Sequence, residues 1–303
     1  MIQSPLNYTG GKFKLLPQIL PLFPSKINTF VDLFCGGCNV GINVVAHKHI
    51  YNDTNIYLLY LYNTLKNNDK DVILETIYGI IEKYGLSLVS KYGYEYYGCE
   101  SSKGLGNYNK DKFIKMRDDF NFHTNEDYYY YILLYVIIVY SFNNQIRFNQ
   151  NGKFNLPVGK RDFNKKMEKK LVDFIDTIKA QNSNFSCLDF IDFDISTLTE
   201  KDFVYIDPPY LITCATYNEQ DGWNEEKENQ LLNFIEKLTE ANIRCALSNV
   251  LRSKGKENNI LLSWLEKNKD IYIVHELDYS YANSNYHTKD RSESSEEVLI
   301  TNY

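Results

Sequence analysis

Phe203-Val204-Tyr205-Ile206-Asp207-Pro208-Pro209-Tyr210 is the stretch of sequence on which the predicted fold depends. Its first four residues are β-branched or aromatic, and a short apolar run of this kind predicts a buried strand. Two prolines follow almost at once, and since each fixes its own φ and lacks an amide hydrogen, the strand must end before them. Asp207 therefore stands at the carboxyl end of a strand, where open α/β sheets place their ligands.

The turn after this strand offers a rigid pair of hydrogen-bond acceptors. The Asp207 side chain and the Pro208 carbonyl can accept both hydrogens of an amine whose lone pair is delocalised into an aromatic ring. Such bonds would draw the nitrogen toward tetrahedral geometry, and the prolines would hold the acceptors in place beforehand. Tyr210 would present a flat surface to a base flipped out of a duplex. A proline turn capped by an aspartate is the alternative interpretation.

A second strand and glycine turn precede it in the chain. Residues 29–34, Thr-Phe-Val-Asp-Leu-Phe, predict a buried strand that ends at Gly36 and Gly37. Glycines here would let a cofactor approach the backbone, and their spacing differs from the G-x-G-x-x-G of dinucleotide sites. Asp32 suits a positively charged amino-acid moiety. Asp53, 21 residues further on at another predicted strand end, has the spacing of a ribose-hydroxyl acceptor.

Cysteine and histidine give little support for a metal or redox site. Cys35 and Cys38 form one C-x-x-C pair, but no second pair follows among the six cysteines. We therefore predict no metal and interpret both as small residues packed in the turn. The longest apolar run, 131–140, is about half the ~20 residues that a membrane helix needs. The first residues lack the features of a signal peptide, so we predict a cytoplasmic protein without a membrane partner.

Strands and helices alternate from residue 202 onward, which predicts an open α/β sheet. Segment 61–175 interrupts this alternation with helical spacing. We predict a discontinuous core of residues 1–60 and 176–303 and an inserted domain at 61–175. Within these, helices are expected over 40–46, 57–81, 111–120, 126–140 and 164–180, and a loop over 90–110.

Residues 141–160 differ from the helical segments around them. A turn between the aromatic arms of Phe148 and Phe154 predicts a β-hairpin. The net charge of −6 argues against non-specific coating of nucleic acid. Yet residues 147–170 contain eight basic and two acidic side chains, a local charge of +6. A solvated helix face explains part of this charge, chiefly at 165–170, and a phosphate-binding edge explains all of it.

These elements, in this order, resemble the Dam family of adenine-specific DNA methyltransferases. The likeness begins at Asn7-Tyr8-Thr9-Gly10-Gly11-Lys12, continues through the glycine turn, and ends with Asp207 to Tyr210 and Leu247-Ser248-Asn249-Val250. Residues 143–159 look like the recognition hairpin of the family. The likeness covers nearly the whole chain and is greatest to the T-even phage branch.

The resemblance implies a Rossmann-like methyltransferase core that uses S-adenosylmethionine, and a mainly helical DNA-recognition insert that carries the hairpin. The implied reaction is methylation of adenine N6 in duplex DNA, within GATC. The resemblance leaves open whether the methyltransferase has a cognate restriction endonuclease as a partner or acts without one. The implied catalytic residues are Asp207, Pro208, Pro209 and Tyr210. The implied cofactor-binding residues are Tyr8, Gly11, Lys12, Asp32, Phe34, Gly36, Asp53, Phe190 and Asp207. The implied DNA-binding residues are Asn7, Phe142, Asn143, Gln145, Arg147, Asn149, Pro157, Lys160 and Arg161.

Several residues receive specific roles from this resemblance. Arg147 would hydrogen-bond guanine O6 and N7 together, Pro157 would contact a thymine methyl, and Phe190 would stack on the cofactor adenine. Asn7 stands where the bacterial enzyme has a lysine that helps to read the first guanine, so an altered site stays open. The alternative acceptors are a protein glutamine amide, cytosine N4 or an RNA adenine. A DNA-binding regulator without activity is the alternative from another class of protein.

Overall fold

The computed structural model describes residues 1–123, 125–213, 222–278 and 295–303. Two compact units emerge from the contacts within the chain. The first, called the helical unit, comprises Met1–Gly11, Gly36–Ile42 and Asn55–Gln181. The second, called the sheet unit, comprises Lys12–Cys35, Asn43–Thr54 and Asn182–Tyr303. The predicted domain limits near residues 60 and 175 stay a prediction beside these units.

A mixed eight-stranded sheet organises the sheet unit. Its order is β3-β2-β1-β4-β5-β8-β7, with β6 paired to β5. Strands β1 to β5 are parallel neighbours, whereas β8 pairs antiparallel with both β5 and β7. The strands are β1 Thr29–Asp32, β2 Lys48–Asn52, β3 Ser183–Ser186, β4 Phe203–Ile206, β5 Arg244–Ser253, β6 Lys256–Glu257, β7 Ile273–Leu277 and β8 Glu296–Thr301. This is a Rossmann-like α/β fold, as the sequence predicts.

The parallel register determines where the predicted polar residues lie. Asp32 on β1 is level with Tyr51 on β2 and Tyr205 on β4. The carboxyl ends of these three neighbouring strands therefore meet at one edge of the sheet. Asp32 is the last residue of β1, and Asp53 and Asp207 directly follow β2 and β4 at that edge. In open α/β sheets ligands bind at such an edge, where the strand order reverses.

Asp202 fixes the opposite ends of β1 and β4. Its Oδ1 accepts hydrogen bonds from the Thr29 amide (2.7 Å) and the Asn28 side chain (2.9 Å). Its Oδ2 accepts from the Thr199 amide (2.7 Å) and hydroxyl (2.9 Å). Burial acts to raise the pKa of Asp202, but these four bonds outweigh it and hold the pKa below its ordinary value. The ionised form is therefore the one that stabilises the fold.

Replacing Asp202 by Asn is expected to lower the free energy of unfolding by about 2 kcal/mol near neutral pH, because an amide NH₂ would face the two Thr199 donors. Since the folded pKa is depressed, the stabilisation is present above the unfolded pKa and is lost as pH falls through the folded one. The difference in the free energy of unfolding between Asp202→Asn and wild type should therefore become smaller below about pH 4. Urea titrations at several pH values measure this, with the exposed Asp192→Asn as control. A difference in unfolding free energy that does not change with pH would contradict stabilisation by the ionised Asp202 carboxylate.

Helices make up most of the helical unit. They are α2 Ile56–Asn67, α3 Lys70–Tyr84, α4 Val89–Tyr96, α5 Gly106–Phe122, α6 Tyr128–Tyr140 and α7 Lys165–Ala180. In the sheet unit lie α1 Leu16–Ile19, α8 Glu225–Glu240 and α9 Asn259–Lys267. Helix α6 is buried all round from Tyr130 to Tyr140, because α2, α3 and α5 surround it. No helix in the described ranges has the length and apolar character to cross a membrane.

Several local expectations from the sequence are wrong. The helix expected over 57–81 is two helices, because the Asp69 side chain accepts from the amides of Asp71 and Val72 and begins α3 there. The expected loop at 90–110 contains α4, whose backbone is broken by Gly93 at φ 76°, and the start of α5. The helix expected over 40–46 is only a 3-10 turn at Gly41–Asn43.

The segment 141–160 reverses direction without forming regular strands. Isolated antiparallel bridges join Ser141 to Val158 and Phe148 to Phe154. The Phe142 amide donates to the Pro157 carbonyl (2.8 Å). The predicted hairpin is thus present as two bridged arms rather than as a ladder.

Candidate active site and DNA interface

The turn after β4 carries a compact group of charged side chains. The Lys12 ammonium lies 2.9 Å from Asp207 Oδ1 and 4.0 Å from Glu297 Oε1. The Tyr210 hydroxyl donates to the same Asp207 Oδ1 (2.9 Å). The ammonium also lies 4.9 Å from the centre of the Tyr210 ring, in cation–π geometry. These four residues, called the Asp207 cluster below, all belong to the sheet unit.

Burial sets the electrostatics of the Asp207 cluster. Lys12 and Glu297 are each only 4% exposed, although both carry charged groups. Burial raises the pKa of Glu297, the Lys12 ammonium lowers it, and Asp207 raises it again, with a net upward shift. Burial and then the Asp207 carboxylate raise the pKa of Tyr210 well above its usual value, so its hydroxyl keeps its proton and acts as a donor.

Asn52 ties together the strand ends beside this cluster. Its side-chain amide donates to the carbonyls of Leu33 (3.0 Å) and Leu188 (2.9 Å), and its Oδ1 accepts from the Ser186 hydroxyl (2.8 Å). These bonds hold the segments after β1 and β3 against the end of β2. Asp32, 2% exposed, and Asp53, 9% exposed, are thereby presented by strand ends of fixed geometry.

An aromatic cluster lies in the same unit. Phe34 and Phe190 have ring centres 5.6 Å apart, and Trp223 packs against both, at 5.9 and 5.7 Å. The Trp223 indole donates to the buried Glu228 carboxylate (2.6 Å), which fixes the orientation of the ring. Phe190 is 2% exposed, so a stacking face on it would have to be uncovered by movement of its neighbours. Its predicted role in stacking stays a prediction.

The glycine turn belongs to the helical unit from Gly36 onward. Gly36 has φ 42°, and a Cβ on it would lie 2.7 Å from Cε1 of Tyr8. The Tyr62 hydroxyl donates to the Gly36 carbonyl (2.7 Å), which holds the turn on α2. A Cβ on Gly11 would lie 3.2 Å from the Tyr8 carbonyl. Glycine is therefore required by close packing around Tyr8, as well as by the positive φ at Gly36.

The N-terminal residues and the start of the bridged arms are in contact within the helical unit. Asn7 donates to the Asn144 side chain (3.1 Å), and Gln145 donates to the Thr9 hydroxyl (3.4 Å). Asn144 also donates to the Val139 carbonyl at the end of α6. Asn143, which precedes it, is exposed at φ 55°. The predicted DNA-binding residues Asn7 and Gln145 thus flank one turn.

Exposed groups line this turn and the arms that follow it. Phe142 is 48% exposed, which is unusual for a phenylalanine. The Arg147 guanidinium donates through Nε to Asn155 Oδ1 (2.7 Å), which fixes it across the two arms. Asn149 accepts from the Asn151 and Lys153 amides (2.9 and 3.0 Å) and shapes the turn. Pro157, Lys160 and Arg161 are exposed.

The core of the helical unit holds the arms in place. Phe148 stacks on Tyr57, with ring centres 4.1 Å apart. The Asn121 side chain donates to the Phe154 carbonyl (3.0 Å) and accepts from the Phe154 amide (2.8 Å), as a neighbouring strand would. The arms are therefore fixed at their base, while Arg147 remains exposed.

The structure gives no group of three or more His, Cys, Asp or Glu side chains, within the described ranges, that could hold a metal ion. Cys35 and Cys38 are both buried. The packing interpretation of these cysteines stays a prediction.

This sheet, with acidic residues and a proline turn at the carboxyl ends of its parallel strands, defines a methyltransferase core. Residues 8–282 match the D12 class N6 adenine-specific DNA methyltransferases, and the chain belongs to that family. The Type II methyltransferase M.FokI of Planomicrobium okeanokoites is 44% identical over 308 residues, which cover 100% of this chain and 43% of that relative. The modification methylase StsI of Streptococcus sanguinis is 40% identical over 308 residues, with the same coverage.

A DNA adenine methylase of Escherichia coli (strain K12) is 26% identical over 248 residues, which cover 80% of this chain and 79% of that relative. The chain spans 43% of the length of the two modification enzymes named above. The predicted likeness to the phage branch of the Dam enzymes stays a prediction, and the family is the broader D12 class.

Three residues of the site are not found by inspection of the sequence. Glu297 follows Glu296 and reads as one of two surface charges, although adjacent strand residues point to opposite faces and one of the pair must face inward. Trp223 and Glu228 give no motif. The ion pair between Lys12 and Asp207 is likewise not found from the sequence, and the predicted place of Lys12 at the cofactor stays a prediction.

Proposed function

We propose that this chain transfers a methyl group from S-adenosylmethionine to adenine N6 within a short site in duplex DNA. The observation that carries the proposal is the Asp207-Pro208-Pro209-Tyr210 turn at the sheet edge, with both Lys12 and Tyr210 bonded to Asp207 Oδ1. Membership of the D12 class supports this acceptor over a glutamine amide, cytosine N4 or a silent regulator.

The catalytic turn would activate the amine by accepting its hydrogens. Because Lys12 and Tyr210 both engage Oδ1, Oδ2 is the oxygen that we assign to one N6 hydrogen, and the Pro208 carbonyl accepts the other. Acceptors fixed beforehand stabilise the transition state without reorganising during the reaction. Since the ammonium covers one face of the Tyr210 ring, a flipped adenine would stack on the opposite face. The amine proton leaves after transfer, so the site requires no strong base.

The residues of the sheet unit fit the chemical groups of S-adenosylmethionine. The cofactor, when bound, supplies an electrophilic sulfonium methyl and needs partners for a positive amino-acid end, a ribose and an adenine. Asp32 provides a carboxylate for the amino-acid end and Asp53 one for the ribose hydroxyls. Phe34 and Phe190, which pack against Trp223, are the aromatic side chains proposed for the adenine, and Phe190 would accept it once its neighbours move aside. The sheet unit alone therefore contains the required kinds of group.

Replacing Gly36 by Ala is expected to weaken binding of S-adenosylmethionine about tenfold, because φ 42° is strained for alanine and the new methyl would displace the Tyr8 ring. Isothermal titration calorimetry measures the effect. Gly79→Ala in α3 is the matched control, since a Cβ there meets nothing within 4 Å. Equal affinity of both variants would show that the Tyr8 packing does not matter for the donor.

DNA would be recognised by the bridged arms of the helical unit. Exposed Phe142 and Asn143 are proposed to enter the duplex beside the flipped adenine, and Arg147 to read a guanine. Lys160 and Arg161 would neutralise phosphates, so binding should weaken as salt rises. We propose action on DNA in the cytoplasm of a bacterial or phage-infected cell.

GATC is the site that we test first, and it rests on the resemblance to Dam enzymes. The experiment is sequencing-based mapping of methylated bases in DNA incubated with the protein and the donor, alongside Asp207→Ala. Methyl-adenine at GATC, absent in the variant, would support the full proposal. Methyl-adenine at another site would retain the reaction and reject GATC; methyl groups on cytosine or on no base would reject the reaction.

A modification role is proposed from the relatives. M.FokI and StsI are named as a type II methyltransferase and a modification methylase. We propose that this chain likewise modifies the sites of a cognate restriction endonuclease. Plasmid DNA methylated by the chain should then resist an endonuclease encoded beside it; cleavage despite full methylation would reject the pairing.

A further inference from the structure

We propose that Glu297 is a positioning residue of the catalytic turn, which shares the Lys12 ammonium with Asp207 and so preserves Asp207 as a strong hydrogen-bond acceptor. The proposal rests on the proposed methyl transfer, because it assigns a role within that same site. Glu297 lies on β8, on the far side of β5 from the proline turn in the strand order.

Glu297 is buried within the sheet, unlike an ordinary surface glutamate. Its register partners on β5 and β7 are Val250 and Leu277, and the residue is 4% exposed. Its Oε2 makes no hydrogen bond to any part of the chain that the structure describes. A carboxylate is costly to bury unless a partner repays the cost. The Lys12 ammonium, 4.0 Å from Oε1, is one such partner, and a hydrogen bond from Tyr210 also favours the ionised form.

The net charge of Lys12, Asp207 and Glu297 explains how Glu297 affects Asp207. Lys12 and Asp207 alone would form a neutral pair, in which the ammonium on Oδ1 draws electron density from the whole carboxylate, including Oδ2, the oxygen assigned to the amine hydrogen. A second carboxylate leaves the ionised cluster with one net negative charge. Lys12 is then divided between two acids, and Asp207 accepts more strongly. This effect on Asp207 is a chemical reason for the protein to keep a buried carboxylate at Glu297, although Oε2 makes no hydrogen bond among the described residues.

Glu297→Gln is the variant that tests this role, since it keeps the shape and removes the charge. Single-turnover methylation should slow about tenfold at the pH optimum. The fall in rate toward acid pH should be smaller in Glu297→Gln than in wild type, because protonation of Glu297, whose pKa burial raises, contributes to that fall only when the carboxylate is present. Glu296→Gln is the matched control on the same strand: its carboxylate pairs with Arg252 at the surface (2.8 Å), and its profile should match wild type.

A titration that needs no activity provides the second test. The ionisable groups that face Glu297 among the described residues are Lys12, Asp207, Tyr205 and Tyr210. In protein labelled with ¹³C at glutamate carboxyls, the Glu297 resonance is the one lost in Glu297→Asp. Its pKa should lie above that of ordinary glutamates and fall in Asp207→Asn, because a nearby negative charge is removed.

The outcomes separate this inference from the proposed function. A rate profile of Glu297→Gln that falls toward acid pH as steeply as that of wild type would overturn the inference, and so would a Glu297 pKa unchanged by Asp207→Asn, even if wild type methylates adenine. Absence of methylation by wild type would reject the proposed function instead. If Glu297→Gln does not fold, the titration in wild type and Asp207→Asn decides alone.

Discussion

Asp207→Asn is expected to slow methylation of adenine by at least about 10²-fold, because a preorganised partner of the reacting group is lost. The amide retains one oxygen. Because the Lys12 ammonium and the Tyr210 hydroxyl both donate to Oδ1 in the wild type, the amide oxygen should take that position. The NH₂ group then faces the adenine amine, donor against donor. Binding of S-adenosylmethionine should change much less, since Asp32 and Asp53 carry the proposed contacts with the donor.

Single-turnover rates with saturating DNA and donor measure this loss, and calorimetry measures donor affinity in parallel. Asp192→Asn, an exposed carboxylate in the same unit, is the control for the loss of one negative charge. A variant that retained more than a tenth of the wild-type rate would show that Asp207 does not accept from the amine. Equal losses of rate and of donor affinity would assign Asp207 to the cofactor instead.

Local sequence predicts those parts of the fold that bury continuous apolar runs. Residues 29–32 and 203–206 are predicted as strands because they are short runs of mainly β-branched and aromatic residues, whereas α6 is predicted from helical spacing of apolar residues. Strand β3 is missed, since Ser183-Asn184-Phe185-Ser186 is largely polar and forms a strand by pairing with β2. Its existence depends on a partner far away in sequence, which no local pattern reports.

The same distinction separates the predicted and unpredicted parts of the site. Asp32, Asp53 and Asp207 can be placed at one edge because each lies at or directly after the end of a strand, and parallel neighbours bring strand ends together. The bond between Lys12 and Asp207 cannot be placed, because it joins the first residues of the chain to β4. Glu297 joins the cluster only through the antiparallel position of β8 between β5 and β7. The motifs therefore predict which residues could take part in the reaction. The charged groups around Asp207 depend on the order of the strands and cannot be predicted from the motifs.

Arg147→Ala is expected to lower discrimination against a single altered guanine about 10- to 100-fold, since a bidentate contact contributes ~1–3 kcal/mol of specificity. Asn155 holds the guanidinium through Nε, at 2.7 Å, and its main-chain oxygen lies 3.4 Å from Nη2. The arginine is thus aimed before DNA arrives, which limits the rotamer entropy lost on binding. Asn155→Ala should lower discrimination at the same guanine by a smaller factor, because the arginine remains but is no longer held.

Rates on cognate duplexes and on duplexes with one base pair exchanged measure the effect for each variant. Lys160→Ala is the matched control, because an exposed lysine that contacts phosphate should weaken binding to all sequences alike and reduce its salt dependence. If Arg147→Ala behaves in this same way, the arginine is a phosphate contact and the guanine is read elsewhere. If discrimination falls at one guanine only, and Asn155→Ala follows it at that position, the geometry of the bridged arms is what determines the site.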